Sequence, residues 1–194
     1  MVKVLGMVGS PRQGGNTQLL MEAFLSGVEE NGAQGEMISL QRLTLNPCDG
    51  CFACWQPDGR CVKQDDMSEL YTKIEQAEII AFGTPVYWYG PTALMKGVID
   101  RLVFYNYPLH RQRIRNKTAV ILVPCEETDP AVTQLIEEFF LRCFRYLEMD
   151  FAGKIMAPGL DQRGAVRQHP DFLQQARNLG QQVVRRVQDR GERQ

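Results

Sequence analysis

The chain has 194 residues, of which 44% are hydrophobic and 23% charged, and its formal net charge is −1. That size and balance suit one globular domain with a full core, and they give no electrostatic support to a nucleic-acid or membrane-surface role. No apolar run is long enough to span a bilayer, and the start MVKVLGMVGSPR lacks the apolar core of a signal peptide, so a cytoplasmic protein is expected.

Residues 2–8, VKVLGMV, form a short apolar run stopped by Gly9-Ser10-Pro11, which reads as a buried parallel strand. From Asn16 to Glu30, Leu19, Leu20, Ala23, Phe24 and Val28 make a helical stripe, and Gly32 supplies a stop. A second strand follows at Glu36–Leu40. Next comes a loop rich in Cys, Gly and Pro, about 46–64, and then a helix capped by Asp65 or Asp66 and ending near Ala77. The third strand is Glu78–Gly83, and an aromatic loop runs from Thr84 to Gly90. Pro91 opens a helix to about Phe104. Thr118–Val123 is the fourth strand, and Asp129 or Pro130 begins a helix to about Tyr146. A weaker strand near Phe151–Met156 and a polar helix over about Asp171–Gln188 complete the chain.

Strict alternation of strand and helix predicts an α/β fold with a parallel sheet, helices on both faces and right-handed crossovers. Five strands favour the flavodoxin-like three-layer sandwich, of order 2-1-3-4-5, with ligands beyond the carboxyl ends of the strands. A single domain over 1–194 is expected, because no repeat, linker or low-complexity stretch divides it.

The loop Gly9-Ser10-Pro11-Arg12-Gln13-Gly14-Gly15-Asn16-Thr17 joins the first strand to a helix. Such a loop turns backbone N–H groups and a helix N-terminus toward one point, which suits a phosphate. Ser10, Asn16 and Thr17 add neutral donors, Arg12 a charge, and Gly15 room for the turn. Neither a P-loop lysine nor a G-x-G-x-x-G fingerprint is present. GSPRQGGNT resembles the phosphate loop of the NADPH-dependent FMN reductase branch of flavodoxin-like proteins. The resemblance implies that Ser10, Arg12, Asn16 and Thr17 hold the phosphate of FMN.

After the third strand, Pro85-Val86-Tyr87-Trp88-Tyr89-Gly90 lies on the same sheet edge. A flavin ring needs a flat, partly apolar slot and a few backbone donors, and this loop can offer both. The run through Pro91, with Leu94-Met95-Lys96-Gly97 and Asp100-Arg101 after it, resembles the same family, which implies that residues 85–90 contact FMN. A third contact loop is expected after the fourth strand, with Cys125 and Glu126.

Cys48, Cys51, Cys54 and Cys61 are spaced C-x2-C-x2-C-x6-C. Three thiolates so close can wrap three corners of a cubane, and the turn sequence Pro57-Asp58-Gly59 can bring Cys61 back to close it. Zinc more often takes two separated knuckles, and free thiols are the remaining alternative. The motif resembles that of the iron–sulfur flavoproteins of anaerobic microbes, which implies a [4Fe–4S] cluster. Flavin reductases without a cluster carry similar loops ending G-x-C-x-x-x-D-D, as Gly59–Asp66 does.

The remaining residues have plainer readings. Cys125 and Cys143 read as packed thiols, His110 and His169 as surface residues in polar loops, and Lys96, Asp100 and Arg101 as surface or dimer contacts. Nucleophile elbows and zinc-protease histidines are absent, so hydrolase chemistry has no support. The expected function is that of an FMN-dependent oxidoreductase passing electrons between FMN and the cluster, with NAD(P)H or a ferredoxin as donor. The rivals are an NAD(P)H-dependent FMN or quinone reductase without a cluster, and a non-enzymatic flavin sensor with structural zinc. A homodimer or homotetramer is expected, with the Cys loop and an exposed Tyr105–Arg115 segment covering a neighbour's flavin.

Overall fold

Five segments become five strands of one parallel sheet in the computed structural model, which describes residues 1–191. They are β1 (Lys3–Val8), β2 (Gln34–Ser39), β3 (Ile79–Gly83), β4 (Thr118–Pro124) and β5 (Asp150–Ala157), in the order β2-β1-β3-β4-β5. β3 and β4 are buried along their whole length, which is why their sequences are continuously apolar, whereas β2 at the edge is half-polar. The domain expected over 1–194 is thus described as far as residue 191; residues 192–194 lie outside the described residues.

Side chains alternate across the sheet and build a core on each face. Ile79 and Ala81 of β3 join Val4, Val120 and Ile155 on one face, under α1 (Asn16–Glu29) and α6 (Pro170–Gly191). Ile80 and Phe82 join Leu5, Met7 and Ile121 on the other. There they pack under α2 (Met67–Gln76), α3 (Ala93–Arg101) and α5 (Pro130–Tyr146). This is the predicted three-layer order.

One segment departs from expectation. The helix predicted from Pro91 to Phe104 ends at Arg101, and a 3-10 turn (Leu102–Asn106) and the short α4 (Pro108–Arg111) follow. Tyr105, His110 and Ile114 are buried, so this is an inward-packed corner and not an exposed extra. His110, expected at the surface, stacks on Phe104 with ring centroids 4.1 Å apart. Its Nδ1 lies 3.1 Å from the Phe104 carbonyl, a partner that lets an imidazole be buried.

Candidate cofactor sites

Each of the five parallel strands leaves the sheet at its carboxyl edge, and the connections after β1 and β3 are tied together. After β1, the Gly9 amide donates to the Gly83 carbonyl at 2.7 Å, and the Thr92 hydroxyl donates to the Gly9 carbonyl at 2.5 Å. The Thr92 amide in turn donates to the Thr84 hydroxyl at 3.1 Å. The first and third strand loops are therefore one hydrogen-bonded unit. They flank the crevice between β1 and β3, where the strand order reverses and ligands of such sheets bind.

Ser10, Arg12, Asn16 and Thr17 line a cleft there, which measures about 540 Å³ counting its open mouth. Pro85, Val86 and Tyr87 form a second wall, and Pro124, Cys125 and Glu126 a third. Helix α1 begins at Gly15 with no side chain capping it, so its first-turn amides face the cleft uncapped. With the buried hydroxyls of Ser10 and Thr17 and the exposed Arg12 guanidinium, this end suits a dianionic phosphate. Pro85, Val86, Tyr87 and Pro124 offer apolar surface against which a flat ring could lie. Burial, and then the nearby Glu127, pushes the Cys125 thiol up, so it lines the cleft as a neutral group.

A fourth wall was not foreseen. Leu160, Asp161 and Arg163, after β5, complete the cleft. Asn16 holds this loop: its Nδ2 donates to the Leu160 and Gln162 carbonyls at 3.3 and 2.9 Å, and its Oδ1 accepts from the Val166 amide at 3.1 Å. The polar atoms of Asn16 are thus occupied by the protein itself, which makes it a clamp for the loop. Gly159 and Gly164, both with left-handed φ of 75° and 78°, bracket the loop and were the available signal.

Gly15, Trp88, Tyr89 and Gly90 stand beside the cleft and are not part of its lining. Tyr87 and Gly90 exchange backbone hydrogen bonds at 2.9 and 3.1 Å, closing a two-residue turn with Trp88 and Tyr89 at its tip. Both have left-handed φ, 48° and 63°, and Trp88 is 96% exposed. Such turns favour Asn-Gly, and bulky residues there cost about 1 kcal/mol each or more. The double substitution Trp88→Asn/Tyr89→Gly is expected to raise stability by about 1–2 kcal/mol in urea unfolding. A loss of stability would show that the rings pack on something.

The four cysteines of the 46–64 loop line a second cavity, walled also by Phe52, Val62 and Tyr71. The turn sequence works as expected: the Gly59 amide donates to the Gln56 carbonyl at 2.9 Å and returns the chain past Cys54. A side chain at position 59 would meet the Cys54 carbonyl at 2.7 Å, so glycine is required. Burial, and then the nearness of Cys61, Cys51 and Cys48, pushes the Cys54 thiol up. Among the described residues no three His, Cys, Asp or Glu side chains are placed to share one metal ion. A zinc ion needs all its ligand atoms within about 2.3 Å of one point. A cubane takes one thiolate at each of four irons, and the four thiols that line this cavity are the donor set it would need.

The base of this loop corrects the reading of Arg101 as a surface residue. Arg101 is 2% exposed and pairs with Asp65, whose side chain is fully buried, at 2.8 Å. The Asp65 carboxylate also accepts from the amides of Asn46 and Met67 at 2.8 and 3.2 Å. Asp66 accepts from the Thr44 amide at 2.7 Å. The two aspartates so close the loop by clasping its entry to its exit. Burial alone would raise the Asp65 carboxyl, but Arg101 and the Asn46 amide outweigh it and hold it below the usual carboxylate range. Lys96 and Asp100 form an exposed ion pair at 2.5 Å, as a surface role required.

The family model described as NADPH-dependent FMN reductase matches residues 2–188. An iron–sulfur flavoprotein of Methanocaldococcus jannaschii is 43% identical over 100 residues, which is 52% of this chain and 51% of that protein. The chain spans about half the length of the iron–sulfur flavoproteins that it matches. A Bacillus subtilis protein named as an NAD(P)H-dependent FMN-containing oxidoreductase is 30% identical over 87% of this chain and 91% of its own. The solved NAD(P)H:quinone oxidoreductase of Methanothermobacter marburgensis aligns over 94% of both chains, with a TM-score of 0.73 at 22% identity. That last likeness shows the fold.

Proposed function

Since this chain belongs to the NADPH-dependent FMN reductase family, we propose that it is an FMN-dependent oxidoreductase that also carries a [4Fe–4S] cluster. The observation that carries the reading is that Cys48, Cys51, Cys54 and Cys61 all line one cavity, separate from the cleft at the β1/β3 crevice. Ser10, Thr17, Arg12 and the start of α1 would bind the phosphate of FMN, with Arg163 as a second cation facing it. Pro85, Val86, Tyr87, Pro124 and Leu160 would flank its ring and exclude water from one side. When bound, FMN exchanges electrons singly or in pairs and the cluster exchanges them singly, so together they couple a two-electron donor to a one-electron partner. NAD(P)H is the donor favoured by the family, and a ferredoxin is the alternative. The names of the iron–sulfur flavoproteins that the chain resembles support the cluster.

A second reading, an NAD(P)H-dependent reductase without a cluster, is favoured by the B. subtilis relative, which covers more of the chain than the iron–sulfur flavoproteins do. Protein purified without oxygen separates the two. Flavin bands together with a broad absorbance bleached by dithionite, and about four irons and four sulfides per chain, are the expected result. Flavin bands with no iron would leave the second reading, and stoichiometric zinc together with no turnover would leave neither. Anaerobic bleaching of the flavin by NADPH is expected in both.

A further inference from the structure

Among the described residues, a single buried cation reaches a sulfur of the four-thiol cavity. The Arg101 guanidinium lines that cavity, and its Nη2 donates to Cys61 Sγ at 3.3 Å. Its orientation is over-determined: Nη1 donates to the Asn46 carbonyl and to Asp65 at 2.9 and 2.8 Å, and Nη2 to Asp65 at 3.1 Å. Its Nε is buried with no partner. A clasp between Asp65 and the loop would need only the carboxylate side of this arrangement. Both arms of the fork meet Asp65, and the second N–H of Nη2 carries it on to Cys61, a combination that only arginine offers. Lys63 also lines the cavity, but its ammonium is paired with Asp49 at 3.1 Å and is more exposed.

We propose that Arg101 is a positioning residue that sets the reduction potential of the cluster held by these cysteines, through its N–H···S hydrogen bond to Cys61. The proposal rests on the cluster reading above. One electron taken up by the cluster, from the flavin or from a chemical reductant, adds one negative charge that is shared with the cysteine sulfurs. A fixed donor at a buried sulfur stabilises that more negative state more than the oxidised one, so it raises the potential. Bonds neither form nor break, and Arg101 keeps its proton in both states, because a guanidinium does not titrate in proteins.

The test is a redox titration of the anaerobically purified holoprotein, with the cluster followed by electron paramagnetic resonance and the flavin by absorbance. Arg101→Lys keeps a charge facing Asp65 but has no second arm for Cys61. The double variant Arg101→Gln/Asp65→Asn removes both charges together, so no unpaired charge is left buried if the single variant folds poorly. In both, iron content is expected to match wild type while the one-electron equilibrium shifts about tenfold toward the oxidised cluster, about 59 mV. The flavin potential should not move, since Arg101 does not line its cleft. Iron-loaded variants whose cluster potential stays within twofold of wild type would overturn the proposal and leave the cluster reading standing. An equal shift at the flavin would likewise overturn it, as a general disturbance. Wild-type protein without iron would overturn the cluster reading, and this proposal with it.

Discussion

Gly180→Ala is expected to lower the unfolding free energy by about 3 kcal/mol or more, although alanine is the better helix former. Gly180 sits mid-way along α6 where that helix crosses α1. A Cβ there would lie 2.1 Å from the Phe24 carbonyl oxygen and 3.0 Å from the Val28 amide. The contact is reciprocal, since a Cβ at Gly27 of α1 would lie 1.9 Å from the Arg177 carbonyl oxygen. These neighbours are backbone atoms inside helices, which cannot rotate away as a side chain can. The helices would have to separate, and with them the interdigitation of Phe24 and Val28 with Val183 and Val184. Gly97 provides the control, for it lies within α3 and a Cβ there meets nothing within 4 Å. Gly97→Ala is expected to add about 0.5–1 kcal/mol through helix propensity alone. Urea midpoints and slopes for both variants measure the difference. If Gly180→Ala stabilised the protein as Gly97→Ala does, the backbone contact would not exist. Because α1 opens on the phosphate-type loop, its displacement should also weaken flavin retention.

Asp65→Ala is expected to cost about 3–5 kcal/mol, more than a truncation of one small side chain would otherwise cost. Its removal leaves the Arg101 guanidinium buried without a counter-charge, and it leaves the Asn46 and Met67 amides without their acceptor. Asp65→Asn, which keeps an acceptor but not the charge, should fall between the two. Both are checked by urea unfolding at neutral pH. The loss should be accompanied by faster proteolysis within 46–64, because Asp65 clasps the two ends of that loop. A cost under about 1 kcal/mol would mean that Arg101 finds solvent or another partner when Asp65 is gone.

How far the sequence could be read depended on whether each signal was local. Strand alternation, the glycine-bracketed phosphate-type loop and the Cys spacing are periodicities or short motifs, and each was legible at its own position. The outline of the cleft followed, because loops after β1, β3 and β4 must meet at one edge of a doubly wound sheet. Its fourth wall did not: Gly159 and Gly164 mark turns there, but nothing local reports that Asn16, on the first loop, will bind the Leu160 and Gln162 carbonyls from across the cleft. His110 was misread for the same reason: its polar neighbours are local, and its partner Phe104 is known only once the corner folds.

Arg101 marks the division most sharply. By itself the sequence determined the fold class, the strand order and the grouping of four cysteines in one loop, because these depend on hydrophobic period and on spacing. Only the tertiary structure decided that an arginine at the end of α3 turns inward to Asp65 and Cys61. A buried charge is stable only beside its counter-charge, and that counter-charge comes from a segment 36 residues away. Side-chain periodicity records which face of a helix is apolar; it carries no record of which distant carboxylate and thiol will meet an arginine there.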